Sequence, residues 1–120
     1  MNVRSRTIVL SVTALFCLFR SLAFADEILD RAQRLIQQNN PQAAYQLLEP
    51  LESKRAGEVD FDYLFGIAAL DSGHRERAVF ALERVLAVNP NHAQARAEIA
   101  RAYFEMGENE NGRASCRERV

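Results

Sequence analysis

Between Asp60 and Pro90 the apolar positions fall into two helical stripes. Phe61, Leu64, Phe65 and Ala68 recur at i, i+3, i+4 and i+7 behind Asp60, which is the expected N-cap. Gly73 supplies a left-handed residue to end this first helix. A second helix is expected from about Glu76, with Ala78, Leu82, Val85 and Leu86 on one side. Asn89-Pro90 stops it, because proline disfavours helical geometry in the residue before it. Upstream, "NNP" predicts a similar junction, with Asn40 as cap and Pro41 at the first helical position, where a missing N–H is harmless.

This two-helix pattern repeats with a shift of 34 residues. In one direction Gly66 meets Ala32, Gly73 meets Asn39, Ala78 meets Ala44 and Leu82 meets Leu48. In the other direction Phe65 meets Ile99, Gly66 meets Ala100, Ala69 meets Tyr103 and Gly73 meets Gly107. Gly66 and Ala78 are small where paired helices must cross, which lets the axes approach closely. The expected fold is all-α: helix-turn-helix units of about 26–58, 59–92 and 93–111, stacked into a short solenoid with the third unit incomplete.

The period and the small–large pattern resemble the tetratricopeptide repeat (TPR). The middle unit carries the resemblance best, through Phe65, Gly66, Gly73, Ala78, Leu82 and Pro90. The early tryptophan place of the family instead holds Ile28, Asp62 and Arg96, and a late alanine place holds Leu51 and Val85. A second stripe on the first helix of the middle unit, Tyr63, Ile67 and Leu70, leaves that helix apolar nearly all round. In the family this stripe faces a concave groove. Carried over, the resemblance implies a partner groove of Leu29, Gln33, Ile36, Tyr63, Ile67, Leu70, Arg101 and Phe104. An apolar channel with one cation suits an extended or helical peptide. The lysines and asparagines by which one branch of the family holds chaperone tails are missing from these places.

The first 25 residues differ from the rest. Arg4 and Arg6 precede the 13-residue apolar run from Thr7 to Phe19, and "AFA" at 23–25 precedes Asp26 and Glu27. This is the layout of a secretory signal peptide cleaved after Ala25, and the run is shorter than the roughly 18–20 residues of a comfortable transmembrane helix. At the other end, "GRASCRERV" at 112–120 breaks the repeat, with Gly112 and Cys116 where an alanine and a bulky apolar residue are expected. Its codons resemble a sequencing-library adapter, so 112–120 is read as a non-native tail. An uncovered third unit would expose Ile99, Ala102, Tyr103 and Met106 and favour self-association.

Between these ends, residues 26–111 hold nine basic and fifteen acidic side chains, a net charge of −6. No cationic stripe is available for phosphates, which disfavours nucleic acid and anionic lipid as partners. That body has no cysteine, so it offers no disulfide or thiolate metal site. His74 and His92 sit at helix starts and read as capping or solvent-facing residues. Asp60, Asp62, Glu108 and Glu110 read as acids complementing helix dipoles. No nucleophile turn or phosphate loop is present, so neither enzyme activity nor a cofactor or metal is expected.

The expected function is a protein-binding scaffold of the bacterial cell envelope, on the periplasmic side. The phrasing "DFDYLFGIAALDSG" resembles the repeat region of outer-membrane proteins of the surface lipoprotein assembly modifier type. The alternatives are a free-standing periplasmic assembly factor, or an appendage of a larger membrane protein or enzyme. Membrane contact would then come only through a further C-terminal region or a retained signal segment.

Overall fold

The computed structural model describes residues 27–118, with side chains through Gly107. The expected signal peptide and the side chains of the 112–120 segment lie outside the described residues. Helix α1 covers 27–37, followed by α2 (Pro41–Leu48), a 3-10 turn (Glu49–Leu51), the short α3 (Glu52–Arg55), α4 (Val59–Asp71), α5 (Arg75–Val88) and α6 (Ala93–Glu118). Among the described residues there are helices and turns and no strand. The fold is an all-α, TPR-like helical repeat.

The turns show the 34-residue repeat in backbone geometry. Gly73 has φ 90° and Asn39, its counterpart, has φ 58°. In each turn the same two carbonyls are closed. The Gly73 and His74 amides donate to Leu70 O (3.1 Å) and Ala69 O (2.8 Å); those of Asn39 and Asn40 donate to Ile36 O (3.0 Å) and Leu35 O (2.9 Å). This is the Schellman arrangement, set twice by a residue that tolerates the left-handed region. Asn40 caps α2 as expected, its Oδ1 accepting from the Ala43 amide at 3.3 Å, with Pro41 in the first turn. Pro50 has no N–H to continue α2, so the chain tightens to 3-10 geometry and restarts as α3.

Three local expectations are corrected. Asp60 is not the cap of α4: Glu58 occupies that position without a side-chain cap bond, and Asp60 is the second helical residue. Helix α5 begins at Arg75, with His74 at the cap position. Gly107 lies inside α6, although it matches Gly73 in the repeat. No described side chain lies within 4 Å of the place a Gly107 side chain would occupy. A glycine permits a left-handed turn without enforcing one.

The core gathers Ala32, Ala44, Leu48, Phe61, Phe65, Ala68, Ala69, Ala78 and Ala102. A second cluster, Leu82, Val85 and Ala95 with Leu86 and Ile99 against it, joins α5 to α6. The crossing predicted at Gly66 is tight: an added Cβ would lie 2.7 Å from Leu82 Cγ and 2.8 Å from Cδ2. Of the four side chains expected to be uncovered in the third unit, only Tyr103 is exposed, at 54%. Ala102 is buried, and Ile99 and Met106 are half-buried against the clusters. These three turn toward the preceding unit. Among the described residues, Phe80 and Phe104 are the most exposed large apolar side chains, at 63% and 66%.

Candidate functional site

Helical spacing aligns residues of α1 and α4 on one shared face. Leu29, Asp30 and Gln33 from α1 meet Asp60, Tyr63 and Leu64 from α4 around a pocket of about 330 Å³. Three of the expected groove residues, Leu29, Gln33 and Tyr63, are therefore brought together. Asp30, Asp60 and Leu64 join them without having been expected there. Burial, with the charge of Glu98, raises the Tyr63 phenol above its ordinary value. The ring is held from behind by the His92 imidazole, with centroids 4.8 Å apart.

The remaining expected groove residues lie elsewhere. Ile36 and Ile67 are half-buried, Ile36 being packed against the core, and neither lines the pocket. Leu70 is buried in the core at 2% exposure, so α4 is covered on both sides. Phe104 projects from α6 into solvent. Arg101 is engaged by Asp71 (2.8 Å), Glu98 (2.7 Å) and Glu105 (3.8 Å). Burial pulls its charge-bearing form down, but the hydrogen bonds to Asp71 and Glu98 outweigh it and leave its pKa raised. The cation expected in the groove is thus paired within the chain.

A second polar constellation lies where the first two units meet. Asp62 is fully buried, in the family's tryptophan place. Its Oδ2 accepts from the Gly57 amide at 2.7 Å, and its Oδ1 accepts from Arg84 Nη2 at 2.7 Å and Nε at 3.1 Å. Gly57 reaches this position with φ 98°. Arg84 also reaches Glu52 (3.1 Å), which binds Arg77 (2.9 Å). Arg77 in turn donates to Glu49 and to the Tyr45 hydroxyl. The hydrogen bond to Asp62 is foremost in raising Arg84 above the ordinary arginine value. The reading of Asp62 as a dipole-complementing helix acid is thereby replaced. It is the buried end of an ionic ladder whose spacing of seven, Arg77 to Arg84, places both guanidinium groups on one side of α5.

The histidines have local roles. His92 Nδ1 accepts from the Ala95 amide at 3.1 Å and caps α6. His74 stacks on Tyr45 with centroids 4.1 Å apart, and its Nδ1 is 3.1 Å from the Ser72 hydroxyl. Among the described residues no group of His, Cys, Asp and Glu is placed to hold a metal ion, and no helix is long and apolar enough to cross a membrane.

The sequence comparison matches part of the chain to one family model. Residues 69–115 match the tetratricopeptide repeat. The TPR match begins near the end of α4, covers α5 and continues along α6, so it joins the second helix of one unit to the first helix of the next. It crosses the 111/112 boundary and stops before Cys116. No curated protein and no solved structure matches this chain. TPR repeats generally mediate contacts between proteins and are generally non-catalytic scaffolds.

Proposed function

We propose that this chain is a protein-binding TPR scaffold of the bacterial cell envelope, which holds a peptide segment of its partner against the face formed by α1 and α4. One observation carries the binding reading: Leu29, Gln33 and Tyr63, chosen from the repeat pattern, line one pocket. Support for the envelope comes from the signal-like layout of residues 1–25. Placement on the periplasmic side of the outer membrane, in the manner of the surface lipoprotein assembly modifier type, is the finer form of the same reading. Phe80, Tyr103 and Phe104 give self-association an apolar surface.

Site-specific photocrosslinking in cells tests the binding reading. A photoreactive residue at Tyr63 is expected to capture a polypeptide partner, whereas the same residue at Glu76, exposed on α5, is expected to capture far less. Equal capture at both positions, or none at Tyr63, overturns the groove. Fusion of residues 1–25 to alkaline phosphatase tests export: the enzyme becomes active only if carried across the inner membrane, and an inactive fusion removes the envelope assignment.

A further inference from the structure

The pocket between α1 and α4 carries charge as well as an apolar wall. Leu29, Tyr63 and Leu64 are half-buried and form its apolar side, while Asp30 and Asp60 stand exposed at its edge. Neither carboxylate has a hydrogen bond or ion pair to any described residue. That sets them apart from Glu49, Glu52, Glu58, Asp62, Asp71, Glu98 and Glu105, each of which is paired with an arginine of the chain. Two uncompensated negative charges beside an apolar wall and an aromatic ring match a long side chain with a cationic tip. The volume of about 330 Å³ lies at the small end for ligand pockets and suits side chains of a polypeptide.

We propose that the pocket selects a peptide segment presenting an arginine beside an apolar residue. The guanidinium reaches both Asp30 and Asp60, and the methylene stem and the apolar neighbour lie against Leu29, Tyr63 and Leu64. Arginine fits better than lysine because its planar fork can address two carboxylates at once and pack against an aromatic ring. The net charge of −6 over residues 26–111 draws such a segment in from solution. This proposal rests on the groove reading above and narrows it to one ligand chemistry.

Random dodecapeptides displayed on phage and selected on the full 120-residue chain provide the test. The expected pool is enriched in arginine next to leucine or an aromatic residue, and binding is lost on Tyr63→Ala. A synthetic peptide from that pool should bind about fivefold to tenfold more weakly when its arginine is replaced by neutral citrulline, as for a pair of solvent-accessible ionic contacts. The Asp30→Asn/Asp60→Asn double variant, altered only at exposed positions, should show the same loss, and on it the citrulline exchange should make no further difference. Peptides that need Tyr63 but show no arginine enrichment, or bind equally well with citrulline, overturn the arginine proposal and leave the groove standing. If no selected peptide depends on Tyr63, both fall.

Discussion

The two seams between repeat units both bury apolar side chains, but only the first adds a buried ion pair to them. Where the first unit meets the second, the ionic ladder from Tyr45 through Glu49, Arg77, Glu52 and Arg84 ends on a carboxylate with no exposure at all, Asp62. Where the second meets the third, Leu82 and Val85 pack on Ala95 and Ile99. The ion pairs there, Arg75 with Glu105 and Arg101 with Asp71, stay on a rim where every partner is about a third exposed or more. Position 62 has Ile28 one period earlier and Arg96 one period later, and Arg96 donates to Pro90 O in solvent. The repeat therefore fixes how two helices pair within a unit, while the variable position 62 adds a buried ion pair at one seam.

Removing Arg84 should break this contrast most sharply. Arg84→Ala leaves Asp62 buried with only the Gly57 amide as partner and should destabilise by about 2–3 kcal/mol, near the lower limit for breaking a buried pair because Arg84 itself is partly exposed. Urea unfolding followed by far-UV circular dichroism reads the loss. The double change Asp62→Leu/Arg84→Met should recover most of it, since an apolar pair of similar size has no desolvation to offset. Failure of the double variant to recover would show that the ladder, and not its buried charge alone, holds the seam.

The helix crossing inside the second unit gives the next largest effect. Alanine is the better helix former, but a methyl at Gly66 would meet Leu82 Cγ at 2.7 Å, and Leu82 is fully buried. Gly66→Ala should cost about 1–2 kcal/mol after its helix-propensity gain is counted. Ala32→Gly, at the equivalent place in the first unit, should cost about 1–2 kcal/mol, through lost helix propensity together with the loss of a buried methyl. Thermal melts read both losses, and a melting temperature unchanged or raised by Gly66→Ala would mean that this crossing has room for a methyl.

What was legible in the chain followed the period. Asn39 and Gly73 could be paired before any coordinates because only a few residues tolerate a left-handed turn, and small residues at 32, 44, 66 and 78 marked where helices cross. The groove was legible in part: spacing put Leu29, Gln33 and Tyr63 on one face, but spacing does not say how far α4 is rotated into the core, and Leu70 went inward. Asp62 was misread because a first-turn acid looks the same whether it faces water or an arginine 22 residues later.

At the second seam, the rim pairs should contribute little. Arg101→Ala removes contacts to Asp71, Glu98 and Glu105, all with partly exposed side chains, and should change stability by less than about 1 kcal/mol. The change should shrink further in high salt, where exposed charges are screened. A loss as large as that for Arg84→Ala would erase the distinction between the seams.

The smallest effect sharpens the first seam further. Hydrogen bonding from Arg77, and then from the Tyr45 hydroxyl, holds the Glu49 carboxyl below its ordinary value of 4.5. A group with a depressed folded value binds protons more readily when unfolded, so its contribution is complete above pH 4.5 and is lost as pH falls through the lowered value. Glu49→Gln should therefore flatten the acid limb of the stability profile below pH 4.5, with a slight loss and no change of slope near neutrality. The exposed position of Glu49 keeps the effect small. An unchanged acid limb would mean that the Arg77 and Tyr45 contacts do not hold the Glu49 carboxyl down in the folded chain.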